Sequence, residues 1–297
     1  MNAAPIPRPR LAALKVLYSA DMVSDAGVTP SPSDRKPRAV SEALLGAGWP
    51  IELVAPQPTA IADICRVHDP SFVDDVLRLR QRNGFGSFSE SVARSVLYTC
   101  GACHDSALLA LREGISASLT SGFHHAGPNT SRGFCTFNGL MVSAVQLLDG
   151  GHAKKLAIVD CDYHYGDGTQ AIVDALQLSD RVLHLSFGQT YRRPEQARDY
   201  LGAVLGLREK FEAFRPDLVL YQAGADVHVD DPFGGLLTTE EMRERDQTIF
   251  SLTRSLGIPL TWNLAGGYQV ESDGSIPRVV QLHLNTFEEA LRAWQLL

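Results

Sequence analysis

The sequence predicts an α/β protein of three layers, α/β/α, around a central, mainly parallel sheet. Three observations predict it. Short apolar runs alternate with longer amphipathic stretches along the chain, which is the order of strands and covering helices. The runs are apolar on successive residues rather than on every second one, as in parallel strands buried on both faces. Five of the runs end in polar or glycine-rich clusters, and open parallel sheets gather function at those carboxyl ends.

The strands are read, in order, at Leu14–Tyr18, Ile51–Val54, a weaker Ala117–Thr120, Lys155–Asp160, Val182–Phe187, Asp217–Gln222 and Pro259–Leu264. Helical patterns lie between them at Ala39–Leu45, Ser71–Gln81, Ser89–Arg112, Leu140–Leu148, Gln170–Leu176, Asp199–Phe214 and Glu240–Leu256. The last follows Thr238-Thr239-Glu240-Glu241, a capping signal with acids in the first turn. No fixed-period repeat occurs. The Pro/Ser-rich stretch Ser24–Pro37 is too short to divide domains. Residues 14–297 therefore read as a single domain. Residues 1–13 read as a flexible tail, without the apolar segment of a secretion signal.

Composition narrows the class. The 297 residues are 44% hydrophobic and 21% charged, the profile of a folded globular chain. Lys+Arg total 27 against 34 Asp+Glu, so the net charge of -7 argues against a nucleic-acid surface. No apolar run approaches the ~18 residues of a membrane span. Five cysteines are few and odd in number, which points to a reducing compartment and a cytoplasmic location. Cys100 and Cys103 fall inside a helical pattern and read as core.

The strand-end clusters carry the chemistry. Asp160, Asp162 and His164 are spaced by two, so an extended backbone points all three to one face. Asp226 ends another strand, after a small Gly-Ala pair. Asp162, His164 and Asp226 would supply three metal ligands and leave a position open, the pattern of a catalytic zinc. Fe(II) or Co(II) suits the same donors. His124-His125 sits in a glycine-flanked loop after the weak strand, and a tandem pair beside an open metal suggests a base and an electrostatic partner. Asp160 and Asp167 are the carboxylates available to fix their tautomers. Tyr268, just after Gly266-Gly267, could donate to a developing oxyanion.

Taken together, these residues resemble the histone deacetylase and acetylpolyamine amidohydrolase family, within the arginase/deacetylase superfamily. Gly122-Phe123-His124-His125-Ala126 with Gly133-Phe134-Cys135-x-Phe137-Asn138 matches the family's tandem-histidine segment. Asp160-x-Asp162-x-His164-x-Gly166-Asp167-Gly168-Thr169-Gln170 matches its metal loop. Gly224-x-Asp226-Val227-His228 with Asp231-Pro232-x-Gly234-Gly235-Leu236 matches the segment of its third ligand. Gly266-Gly267-Tyr268 matches its catalytic tyrosine, and Val67-His68-Asp69-Pro70-Ser71-Phe72-Val73 its early segment. The Gly-Gly-Tyr-Gln ending is similar to the short class IV deacetylases.

The resemblance implies an arginase/deacetylase fold and a zinc-dependent removal of acetyl or another acyl group. The substrate would be an acylated lysine of a peptide or protein, or an acylated small amine such as an acetylated polyamine. It implies zinc on Asp162, His164 and Asp226, with His125 as general base and His124 as its electrostatic partner. Asp167 would pair with His125 and Asp160 with His124. Gly133, Phe134, Gly266 and Gly267 would line the substrate. Asp160, Asp162, His164, Ser186 and Phe187 would border a structural potassium ion. Arg38 would stand near an inner exit for acetate, and Cys135 close to the metal. A homo-oligomer is compatible with this reading. Nucleic acid and membrane are not partners in it.

The chain also departs from the family. Position 165 is Tyr where many relatives have a second His, and it should face away from the ligands. Gln189–Gln196 leads almost directly into a helix from Ala197, where relatives carry a long glycine-rich loop. That loop supplies the opposite aromatic wall of the tunnel and part of a second cation site, so a shallower site, or one completed by a neighbouring subunit, is expected. Tyr191 is the nearest replacement for the wall. No acidic clamp for a peptide backbone is legible near Gln81–Glu90. An arginase-like two-metal site is disfavoured, because Gly166 and His228 stand where bridging carboxylates would be required. A non-catalytic binding module is disfavoured, because the ligands, both histidines and the tyrosine are all present.

Overall fold

A computed structural model describes residues 11–297. Of the expected tail, residues 1–10 lie outside the described residues, and Leu11 already packs partly buried against the core. The sheet has seven strands, and every pairing is parallel. They are β1 (Leu14–Leu17), β2 (Ile51–Val54), β3 (Ile115–Ser118), β4 (Leu156–Asp160), β5 (Val182–Ser186), β6 (Leu218–Gly224) and β7 (Leu260–Ala265). Their spatial order is β2-β1-β3-β7-β6-β4-β5. The five strands that precede the polar clusters, β3 to β7, are therefore contiguous, and their loops emerge side by side.

Burial on both faces explains the unbroken apolar runs. In β4, Leu156 and Ile158 join the cluster of Phe72, Val96, Leu140 and Met141 on one face. Ala157 and Val159 join Tyr200, Phe250, Trp262 and Phe287 on the other. Each fully buried Leu, Ile or Val side chain among them contributes roughly 1.5–3 kcal/mol. The first face is covered chiefly by α3 (Pro70–Leu77), α4 (Glu90–Glu113) and α5 (Gly139–Asp149). The second is covered chiefly by α1 (Lys36–Gly46), α7 (Ala197–Leu205), α9 (Thr239–Leu256) and α10 (Pro277–Ala293). The remaining helices are α2 (Ile61–Ile64), α6 (Asp167–Ala175) and α8 (Leu207–Phe214).

Local chemistry fixes the element ends. Ser89 caps α4 by accepting from Val92 N, and Gly114 closes it with φ 99°. Thr238 and Glu241 form the capping box expected at α9. Three details differ from the sequence reading. The weak strand is shifted to Ile115–Ser118. The pattern Asp199–Phe214 is two helices, separated at Gly206. The C-terminal helix α10 has no counterpart in that reading; it seals the second face, with Phe287 against Trp262 at 4.9 Å. Among the described residues, no helix is long and apolar enough to cross a membrane.

Candidate active site

The sheet register brings the motif loops together. Asp160 lies opposite Ser186 on β5 and Gln222 on β6, and Gly224 lies opposite Ala265 on β7. Beyond these pairs the chain needs glycine where backbones touch. A Cβ on Gly224 would come 2.5 Å from Asp162 Cα, and one on Gly266, at φ 52°, would come 2.2 Å from Asp226 Cγ. The two carboxylates are thus pressed together by the sheet itself.

Asp162, His164 and Asp226 converge, with one donor atom from each within 4.8 Å of the others. His164 Nδ1 lies 2.9 Å from Asp226 Oδ2 and 3.1 Å from Asp162 Oδ1. Asp226 is fully buried and Asp162 nearly so. Burial pushes the Asp226 carboxyl up to about 7, with the Asp162 charge adding to it. Burial also opposes ionisation of Asp162, but the charge of His124 and a hydrogen bond from His164 hold its carboxyl below the usual range. Burial works against the charge of His164, yet its bonds to both carboxylates push it up to about 10. A proton on Nδ1 therefore sits between two buried carboxylates, where a cation would be favoured. Two oxygens and an imidazole nitrogen suit Zn(II), so the residues fit the metal.

The tandem histidines lie beside this cluster. Their loop turns on Gly122 (φ 93°) and Phe123 (φ 85°). His124 is buried, with Nδ1 2.9 Å from Asp160 Oδ2. His125 donates Nδ1–H to Asp167 Oδ1 at 2.8 Å, and its ring stands 5.8 Å from that of His164. Burial lowers both imidazoles, but the carboxylates of Asp160 and Asp162 push His124 up to about 9. Burial and the neighbouring charge of His124 bring His125 down to about 3. Gly133 faces the base side: a Cβ there would lie 2.5 Å from His125 Cδ2. Arg132 pairs with the second oxygen of Asp167.

Tyr268 closes the group. Its N–H donates to Asp231 Oδ2 at 2.7 Å. Its ring stands 5.6 Å from Phe134 and 5.0 Å from Phe233. Burial, then the charges of Asp162 and Asp226, raise its hydroxyl well above the ordinary value, so it keeps its proton to donate. Gly267, at φ 85°, sets the turn into it.

The residues expected around a structural cation are also gathered. Ser186 Oγ lies 3.4 Å from Asp160 Oδ2 and accepts Gly166 N–H at 3.0 Å. A Cβ on Gly188 would lie 2.5 Å from the His164 carbonyl carbon, so Phe187 and Gly188 pack on the ligand loop. Cys135 is buried beneath the histidine loop, its Sγ 3.3 Å from Gly133 O, and burial pushes its thiol up to about 12.

Several expectations are corrected. Arg38 is exposed; the buried cation is Lys36, which donates to Ser121 Oγ at 2.8 Å and to Gly266 O. Burial brings Lys36 down to about 8. Its helical spacing to Val40 and Leu44, both core, was the available signal. Tyr191 packs on Phe187 and Tyr200 rather than at the site. Tyr165, expected to face away from the ligands, is not such a correction: its ring stacks on His184, centroids 6.3 Å apart. The role of His68 was not legible: Nδ1–H donates to Gly127 O at 2.8 Å and Nε2 accepts Asn138 N–H at 2.9 Å, which braces both ends of the tandem-histidine segment.

Comparison with known proteins shows the family and the fold. The histone deacetylase domain family matches residues 31–198 and 195–286. An uncharacterized protein of Picosynechococcus sp. is 30% identical over 282 residues, covering 86% of this chain and 94% of that protein. A probable deacetylase of Methanothermobacter thermautotrophicus is 29% identical over 276 residues, 80% of each chain. Among solved structures, the HDA15 HD domain superposes with a TM-score of 0.74 at 20% identity, covering 96% of this chain and 95% of that one. The acetylpolyamine aminohydrolase from Burkholderia pseudomallei gives 0.74 at 18%, covering 95% and 99%. At such identities the last two bear on the fold alone, and it is the same fold.

Proposed function

This chain belongs to the histone deacetylase family, and we propose that it is a zinc-dependent amidohydrolase that removes acetyl or another acyl group from acylated lysine or a related amine. The observation that carries the reading is the buried convergence of Asp162, His164 and Asp226 beside two histidines whose protonation is driven apart. Asp162, His164 and Asp226 would hold the zinc. Bound there, zinc supplies a Lewis acid and lowers the pKa of a water molecule.

The chain's own residues supply the rest. Asp167 accepts the Nδ1–H of His125, which fixes the tautomer and leaves the lone pair on His125 Nε2. Neutral at ordinary pH, His125 accepts a proton from the attacking water and returns it to the leaving amine. His124, held charged by Asp160, offers fixed positive charge to the developing oxyanion. Tyr268 donates its hydroxyl proton in a hydrogen bond to that oxyanion. Gly133 and Phe134 on one side and Gly266 and Gly267 on the other line the scissile amide. The C–N bond breaks, the acyl carbon takes the hydroxyl, and a carboxylate and a free amine leave. Asp160, Asp162, His164, Ser186 and Phe187 would border a potassium ion that supports the ligand loop. We place the protein in the cytoplasm, in keeping with five cysteines that are all free thiols.

The test is turnover of an acetyl-lysine peptide by the zinc-loaded protein, the chelated protein and Asp226→Asn. The reading requires activity in the first alone.

A further inference from the structure

The inward face of α9 sets an ion pair, Arg245 and Asp246, among Met242, Ile249 and Phe250, and both members are buried. Burial opposes the charge of Arg245, but Asp246 holds its guanidinium protonated, well above the ordinary value. Arg245 Nε donates to Asp246 Oδ1 at 2.8 Å. Asp246 also accepts the hydroxyl of Tyr221 on β6 and, at 2.6 Å, that of Thr286 on α10. The pair is thus fixed to three elements. Replacing a buried ion pair of this kind by apolar side chains often leaves stability unchanged, so stability alone does not account for it.

A second donor of Arg245 reaches towards the ligands. Arg245 Nη1 donates to the carbonyl of Gly224, the last residue of β6, at 2.8 Å. Two residues earlier, Gln222 O accepts Cys161 N–H at 3.1 Å from the chain that leaves β4. Carbonyls two apart on a strand face the same neighbour, so Gly224 O faces that chain as well, and Tyr163 N–H would be its next ladder donor. Tyr163 N–H is diverted: it donates to Asp226 Oδ1 at 3.1 Å. That bond fixes the Asp226 carboxylate with Oδ2 turned to His164. It also takes from the buried Gly224 carbonyl the donor that the sheet would supply, and a buried carbonyl left without one is costly. Arg245 supplies it instead. The two chains have no slack between them, because a Cβ on Gly224 would come 2.6 Å from Cys161 O.

We propose that Arg245 is a positioning residue for the metal site: it replaces the ladder bond that the sheet gives up and so keeps Tyr163 N–H on Asp226. This rests on the reading of Asp162, His164 and Asp226 as metal ligands. The experiment measures the zinc affinity of the metal-stripped full chain by competition with a chromophoric chelator, the visible bands of the Co(II)-loaded chain, and denaturant unfolding of the stripped chain. Arg245→Lys keeps a charge beside Asp246 but lacks the planar fork that reaches two acceptors at once. Its zinc affinity should fall about 10–100-fold, the scale of a lost bond behind a metal ligand, and its cobalt bands should shift. The double variant Arg245→Met with Asp246→Asn removes the pair without stranding a buried charge, and it should show the same two changes. Thr286→Val is the structural control. It loosens Asp246 from α10, so it should lower the unfolding midpoint while zinc affinity stays within about twofold and the cobalt bands stay in place. Wild-type affinity and bands in either Arg245 variant, or a loss of affinity in Thr286→Val equal to theirs, would overturn the assignment. A wild type that binds no zinc would instead overturn the metal reading, and this one with it.

Discussion

His124 and His125 stand 4.1 Å apart, ring centre to ring centre, yet their surroundings drive their protonation in opposite directions. His124 is buried against Asp160, which sits in the floor of the site at the end of β4. His125 meets Asp167, which opens α6 and already pairs with Arg132. In the proposed mechanism, adjacent residues of one type would serve as a fixed charge and a free base.

His125→Ala is therefore expected to lower kcat by about 10²–10⁴ with zinc retained, because it removes the proton acceptor and no ligand. Steady-state kinetics with metal analysis on the same sample checks it. Near-normal kcat would move the base elsewhere.

Tyr268→Phe deletes one hydroxyl and keeps the ring packed between Phe134 and Phe233. The expected loss is about 10²–10³ in kcat with little change in KM, as for one oxyanion donor. A loss confined to KM would make Tyr268 a binding residue only.

Gly266→Ala tests the way backbone contact sets the ligands. The new Cβ would collide with the Asp226 carboxyl at a positive φ, so zinc affinity should fall by about 10–100-fold. Gly274→Ala is the control. It shares the positive φ, at 82°, but meets nothing within 4 Å, so it should cost about 1–2 kcal/mol of stability and leave zinc affinity alone.

His68 predicts an acid-sensitive step in stability. Burial, opposed by its bond to Gly127 O, brings it down to about 4 from 6.5. A depressed native value means that its contribution is complete above pH 6.5 and is lost as pH falls towards 4, where the unfolded chain takes up the proton first. The loss is about 3 kcal/mol. Denaturant unfolding of wild type and His68→Gln at pH 7.5 and 4.5 should show a smaller acid loss in the variant. Equal losses would assign the effect to other groups.

The parts of this molecule that the sequence made legible are those written locally. Strands buried on both faces leave continuous apolar runs, and Asp162, His164 and Asp226 end two of them. What depends on distant packing was not legible. The buried face of α10 includes His283, Asn285, Thr286 and Glu289, so its apolar stripe is broken and the helix was passed over. Lys36 outranks Arg38 as the inner cation only because Val40 and Leu44 turn that face of α1 inward.

The central claim is that Asp162, His164 and Asp226 bind the metal on which hydrolysis depends. Calorimetric titration of the metal-stripped chain with Zn(II), with acetyl-lysine peptide turnover followed on the same samples, tests it most directly. The account predicts one zinc per chain, activity rising in step with occupancy, and loss of both in Asp226→Asn. Full turnover by the stripped chain, or unchanged zinc binding in Asp226→Asn, would contradict it.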